Sequence, residues 1–485
     1  MSNQHNQAAV AADKAWSIEQ HALEPIPVKD RHGSPKDLFK MWLGANINYV
    51  VVVTGAMAYS QGLSFWQAIA AILAGNLLGC LVVGFSTIMG PKTGTAGIVV
   101  SRSSFGQLGS FFPKAVSLIS ALSWFSINSV VATEALETIM KMGGFTSSLV
   151  VWISLAIILA AEIILAIFGH ATIIAAEKWI AMILATLFAG LVYFVYPHAD
   201  LAQHLLTDSR SASMSTWLVA MGVVCAFPIG WANFASDYSR YFPSETSWKK
   251  IALFAGGGQF VALTVCEIIG VLFAMAVGGN LGYDPVGQLD KFLPAWFMVP
   301  LLLAIIVGGI AANVPNGYTA GLGLLALRIP ISRVASLGII ALFTLGFRVM
   351  TVFYGSFYSV YETFLGYMVF WTGPWAAIIT VDYFMRKGRY NSADMMKWGQ
   401  GDYWYNKGIF WPGLIAWLAG ISVSVLFSNS PVFASPLMTK VLGWGDVGFE
   451  FGLLVPGLLY YFLAKNQYSF KAGCRVEAAV AGRSI

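Results

Sequence analysis

The sequence predicts an all-α polytopic membrane protein of twelve transmembrane helices, and three observations carry that expectation. Apolar runs of roughly 18 residues or more recur along the 485-residue chain, each long enough to cross the hydrocarbon of a bilayer. Hydrophobic residues make up 57% of the chain and charged residues only 11%, too few to cover a soluble surface of this size. The charges also alternate, with lysine and arginine gathered in every second connection.

Residues 1–38 are polar, contain Pro25, Pro27 and Pro35, and lack the charged-then-apolar-then-small order of a cleaved signal, so they read as a soluble tail. Spans are expected near 40–61, 66–90, 113–140, 148–168, 173–196, 215–237, 251–279, 295–327, 334–354, 358–384, 410–428 and 446–464. With the N-terminus inside, only Lys141, Arg210, Lys291 and Lys440 fall outside and Arg348 falls within a span; the rest of the 28 basic residues lie inside. Both termini are therefore expected to be cytoplasmic, in a plasma (cytoplasmic or inner) membrane whose lipid is the first partner.

The same inventory removes several function classes. Cys80, Cys225, Cys266 and Cys474 have no paired spacing, so neither a disulfide framework nor a metal knuckle is implied. His5, His21, His32, His170, His198 and His204 all lie outside or at the ends of the apolar runs, which leaves no haem or buried histidine–metal site. No nucleophile–base pair or phosphate-cradling loop is visible, and the tails are too short for a soluble module, so a membrane-embedded enzyme or a receptor is a remote alternative. No cofactor, metal or nucleic-acid partner is expected, and the chain reads as a monomer or weak oligomer.

The most informative stretch is Cys225 to Tyr241, CAFPIGWANFASDYSRY. Pro228 has no N–H to donate and crowds the carbonyl four residues earlier, so a helix here must break. Broken backbone inside hydrocarbon is tolerated where it lines an enclosed or watered cavity, so the break marks a ligand site or a plain proline kink. The first span has its own interruption at Gly44, Asn46, Asn48 and Gly55. Interruptions five spans apart are what a five-plus-five inverted repeat produces, with broken helices 1 and 6 meeting at mid-membrane. The domain reading follows: tail 1–38, ten-helix core 39–390, helices 11 and 12 over 391–466, and tail 467–485.

Within the third span, Trp124 and Asn128 are four residues apart and share one helix face. They suit a flat heteroaromatic ligand, ring on ring and amide on edge, or equally a packing indole beside an interhelical amide. Asn313 and Asn316 flank Pro315 in the eighth span, where buried amides are costly unless they meet a ligand, an ion or each other. Acids inside spans are candidates for ion coupling. Glu267 has no basic neighbour in its run and is the first choice, with Glu134 second; a carboxyl bonded between helices is the other reading. Glu162 is placed toward the inner side of the fourth span, and Glu362 is expected to pair with Arg348. Asp237 and Arg240, at the inner end of the sixth span, are either a gate or a solvated helix end.

Four fragments in order, GPKTGTAGIVVSRSSFGQLGSFFP, GWANFASDYSRYFP, NVPNGYTAGL and VDYFMRKGRY, give the chain a resemblance over about residues 36–390. It resembles the nucleobase:cation symporters, and most closely their purine-cytosine permease branch. The resemblance implies an inverted-repeat transporter fold, alternating access and uptake of a nucleobase-like small molecule with a cation. It places the family's stacking tryptophan on Trp124, the ligand-bonding polar residue on Asn128 and the eighth-span amides on Asn313 and Asn316. The sixth-span aromatic falls on Trp231, or on Phe227 or Pro228, beside Gly230; Asn46 is added from the first break. Sodium-coupled members carry hydroxyl side chains just before the first eighth-span amide, where this chain has Ala311 and Ala312. Proton symport of cytosine or a purine is therefore the expected function, with sodium-coupled uptake of a hydantoin- or allantoin-like heterocycle as the alternative.

Overall fold

The computed structural model describes residues 23–168, 170–201, 211–279, 284–329, 333–353, 355–430 and 433–481. His5, His21, His204 and Arg210 lie outside the described residues, as do the side chains of His170 and Cys474. The architecture is all-helical. Eight helices among the described residues are long and apolar enough to cross a membrane, and the bent pair Pro35–Ala45 and Tyr49–Ser60 makes a ninth. The shorter apolar helices Val150–Leu165 and Trp411–Leu426, with Gly448–Ala481, occupy the remaining expected positions.

Both expected breaks are present. The first span turns by 70° between Ala45 and Tyr49, and its two freed helix ends are met locally. Asn46 Nδ2 donates back to the Trp42 carbonyl at 2.7 Å, while Asn48 caps the second half by accepting from Val51 N at 3.2 Å. The sixth span is helical over Met214–Ile229, gives way to the short turn Ala232–Phe234 and resumes over Ala235–Ser239. Pro228 forces the change, and Gly230 N is shared between the carbonyls of Ala226 and Phe227.

The packing exchanges partners between the halves as a five-plus-five repeat requires. The second half of the first span packs on the seventh span (Trp248–Val277), and the sixth packs on the second (Phe65–Thr87). The third span (Phe111–Met142) lies along the eighth (Ala295–Ala326); the third also meets the ninth (Arg333–Phe353), and the eighth meets the fourth (Val150–Phe168). Around these crossings the lipid-facing surface is apolar: Leu73, Leu77 and Leu81 form one exposed stripe, and Leu253, Val261 and Val265 another.

One crossing is set by glycine alone. A Cβ on Gly270 would collide with the Val52 carbonyl, and one on Gly55 with the Glu267 backbone, so the first and seventh spans touch backbone to backbone. Gly270→Leu is therefore expected to force these helices apart and cost about 1–3 kcal/mol, read as a lower thermal midpoint in detergent. Gly222→Ala, where nothing lies within 4 Å, should leave that midpoint nearly unchanged.

Candidate functional site

The centre of the site is the indole of Trp124, buried at 6% exposure. It lies directly on the broken sixth helix: a Cβ on Gly230 would stand 2.5 Å from Trp124 Nε1. Only glycine lets the ring reach that backbone. Phe227 closes on the ring at 5.0 Å and 68°, Phe364 of the tenth span (Phe357–Met385) at 5.1 Å and 87°, and Tyr361 at 6.2 Å and 71°. These edge-to-face contacts surround the indole with an aromatic box. Trp124 Nε1 is buried without a hydrogen-bond partner.

Trp231 is turned elsewhere. Its ring meets Trp42 edge-on at 5.4 Å, in a cluster that continues to Tyr238. The break resets the helical phase, so the residue just after it points away from the face that carries Phe227. Of the aromatic candidates in the sixth span, Phe227 is the one brought against Trp124.

Asn128 stands one turn beyond Trp124 on the same face, and its Nδ2 donates to the Trp124 carbonyl at 3.1 Å and to Asn313 Oδ1 at 3.2 Å. Asn316 Nδ2 donates to the Ala312 carbonyl at 3.1 Å and to the same Asn313 Oδ1 at 3.4 Å. Asn313 is thus the hub, and its own Nδ2 donates to the Phe125 carbonyl at 2.9 Å, Ser129 Oγ at 3.0 Å and Glu162 Oε1 at 2.7 Å. Glu162 Oε2 accepts from Ser129 Oγ at 2.8 Å. The fourth-span carboxyl therefore sits level with the amides rather than toward the inner side, because the antiparallel third and fourth spans register Glu162 on Ser129. The sequence signal was a lone acid in an apolar run; its level was not readable.

Asn46 is fully buried, with its nitrogen spent on Trp42 and its Oδ1 unpartnered. It seals the first break and is not seen in contact with the Trp124 box. Asp237 Oδ1 accepts from Gly97 N at 2.6 Å, and Arg240 Nη2 donates to Tyr318 OH at 3.0 Å. Together they tie the C-terminal end of the sixth span to the connection after the second and to the eighth.

The carboxylates occupy three different settings. Glu267 is fully buried; its Oε2 accepts from Asn76 Nδ2 at 2.5 Å and its Oε1 has no partner. Glu134 is ion-paired with Arg348 at 3.1 Å, and the same guanidinium reaches Glu137 at 3.1 Å. The expected Glu362–Arg348 pair does not form: the third and ninth spans are registered by a Ser126–Thr344 hydroxyl contact at 3.0 Å, which presents Arg348 to the third span. Glu362 instead accepts from Gln61 Nε2 at 2.9 Å. Ala311 and Ala312 are buried beside Asn313 and supply no side-chain oxygen.

Residues 25–445 match the model of a family described as permeases for cytosine/purines, uracil, thiamine and allantoin. YxlA of Bacillus subtilis is 27% identical over 463 residues, covering 94% of this chain and 98% of its own. The purine-cytosine permease fcyB of Emericella nidulans is 26% identical over 479 residues, covering 94% and 90%. Among solved structures, Mhp1, a nucleobase-cation-symport-1 family transporter in a closed conformation with bromovinylhydantoin bound, shares the fold. Its TM-score is 0.75 at 19% identity, over 93% of this chain and 96% of that one.

Removing the indole tests the box. Trp124→Ala is expected to weaken binding of a flat ring ligand by about 1–3 kcal/mol, the usual worth of a stacked base, read by titration calorimetry on purified protein. Unchanged affinity in a folded variant would assign the ring to packing alone.

Proposed function

The chain belongs to the family of permeases for cytosine/purines, uracil, thiamine and allantoin, and from that premise we propose that it imports cytosine or a purine by proton symport through alternating access. The observation that carries this reading is the junction of ring and amides: Trp124 presses its Nε1 edge against the broken sixth helix at Gly230, with Phe227 beside it and Asn128, Asn313 and Asn316 one turn away. A planar base needs both, a face to stack on and an edge to bond. Asn46, which seals the first break, and Trp231, which packs on Trp42, both expected in the site, stand apart from this junction.

Coupling is assigned to a carboxyl rather than to a sodium cage. A hard cation wants several oxygens, and the eighth span offers alanines at 311 and 312. Of the two candidates, Glu134 already neutralises Arg348, so Glu267, held by Asn76 and pressed against the first span, is the proposed coupling residue. Asp237 and Arg240 form the proposed inner gate. The protein acts in the plasma membrane with both termini in the cytoplasm, its ten-helix core doing the transport. The second reading, sodium-coupled uptake of a hydantoin- or allantoin-like ring, draws on the bromovinylhydantoin carried by Mhp1.

Uptake of radiolabelled cytosine or adenine into membrane vesicles separates the two. It is expected to rise with an inward proton gradient, to vanish with a protonophore and to ignore replacement of sodium by choline. Glu267→Gln should bind substrate yet fail to concentrate it. Uptake that collapses on sodium withdrawal, at fixed pH and membrane potential, sinks the proton reading. The amides make a separate prediction: Asn128→Ala and Asn313→Ala should each cost about 1–3 kcal/mol for the true substrate, and less for an analogue lacking the matching exocyclic group. Equal losses for both ligands would mark these amides as structural.

A further inference from the structure

Glu162 has no part in the function proposed above, yet it is the carboxyl nearest the substrate amides. It is 2% exposed, and both its oxygens are engaged, Oε1 by Asn313 and Oε2 by Ser129. Asn313 in turn holds Asn128 and Asn316. One amide therefore separates this carboxyl from the residues proposed to bond the ring edge.

We propose that Glu162 is a positioning residue that links protonation to substrate binding, taking up a proton as the base enters and acting on it through Asn313. The inference rests on the proton-symport reading and adds to it where the proton and the substrate meet.

Two features of the surroundings support it. First, the described side chains offer the carboxylate no cation. The fourth span packs on the third, fifth, eighth and ninth. From the third come Glu134 and Glu137, both held by Arg348 of the ninth, Lys141, which is spent on Glu137, and Lys114, which lies over the Phe111 ring at the start of the span. From the eighth comes Tyr318, bonded to Arg240 at the inner end, and from the fifth Tyr193, which is 74% exposed. Among the described side chains an ionised Glu162 thus has no counter-charge, a costly state in a buried site. Its charge also lies one side chain behind the place where the ring nitrogens and carbonyls of a base would present lone pairs, and it repels them.

Second, the site holds the acid as well as its anion. Ser129 Oγ stands 2.8 Å from Glu162 Oε2 and 2.9 Å from the Phe125 carbonyl. With Glu162 ionised, the hydroxyl donates to the carboxylate. Once Oε2 carries the proton, its O–H donates to Ser129 Oγ, and the hydroxyl turns to donate to the Phe125 carbonyl. Asn313 Nδ2 keeps Oε1 as an acceptor throughout. No group in this cluster is orphaned in either state, so the proton can come and go without breaking the network.

The sign follows from reciprocity. If the proton favours the substrate, the substrate favours the proton equally, so affinity falls as pH rises through the titration and binding takes up a proton. Calorimetry of cytosine and adenine binding to the purified full chain, in buffers of different ionisation enthalpy across about two pH units, reads both quantities, with a limiting slope of about tenfold per unit for one linked proton. Glu162→Gln is expected to bind with affinity within about threefold of the wild type's acid-side value, with a flat pH profile and no proton uptake. The proposal is overturned if Glu162→Gln keeps the wild-type profile and uptake, or if the wild type binds with no proton uptake. Should Glu162→Gln fail to fold, Ser129→Ala decides: the ionised carboxylate loses a donor, so the midpoint of the affinity–pH curve should move upward by about one unit, and an unmoved midpoint overturns the proposal. If a hydantoin binds in place of a base, the nucleobase reading fails, and the same calorimetry with that hydantoin still decides Glu162.

Discussion

A backbone that leaves helical geometry inside hydrocarbon must find new hydrogen-bond partners, because each orphaned group there costs several kcal/mol. The rest of this structure depends on how that demand is met at two places. In the first span the solution is internal: Asn46 closes one half-helix and Asn48 opens the next. In the sixth it is a bare backbone: Pro228 frees carbonyls, Gly230 shares its N–H between two of them, and no side chain stands between that backbone and Trp124. The proposed binding face is thus a by-product of the break, and the break can persist because the indole and its neighbours exclude lipid from it.

The two sides of this face are stitched differently. The third, fourth, eighth and ninth spans are joined by polar links: Ser126 to Thr344, Arg348 to Glu134 and Glu137, and Asn313 to Asn128, Ser129 and Glu162. The first and seventh are joined by glycine crossings that bring backbone onto backbone, and the second and seventh by Asn76 on Glu267. Polar links in a low-dielectric interior resist sliding, since a broken one leaves an orphan. The sixth span packs on the second and so brings Gly230 to Trp124 where the two sets touch. A ligand between ring and break would contact both sets at once, which is the geometry that alternating access needs.

Much of this was legible in the sequence, and what was not has a common cause. Span positions follow from hydropathy, which local composition fixes. The breaks follow from Pro228 and from the amide-rich turn of the first span, each a property of a few neighbouring residues. Trp124 and Asn128 share a face by helical periodicity alone. By contrast, the choice between Phe227 and Trp231 depended on the phase after a break, the partner of Arg348 on the register of the third and ninth spans, and the level of Glu162 on that of the third and fourth. Register between helices is settled by side-chain packing over their whole length, and no short stretch encodes it.

Three of the buried carboxyls show why composition alone could not rank them. In the sequence Glu134, Glu162 and Glu267 are alike, acids in apolar runs. Folding separates them by what stands opposite each oxygen. Glu134 faces a guanidinium, and a buried pair of that kind is costly to part, so it serves best as a fixed tie between helices. Glu267 has one oxygen bonded and one orphaned, against a helix that bends, so its energy changes whenever the first span shifts and its Oε1 gains or loses a partner. Glu162 has both oxygens bonded to groups that tolerate either protonation state, at the edge of the substrate amides. A coupling group must sense something that changes during transport. In the proposed proton symport, Glu267 is placed to sense the helix position and Glu162 the occupancy of the site, and a symporter that moves substrate and proton together has to register both.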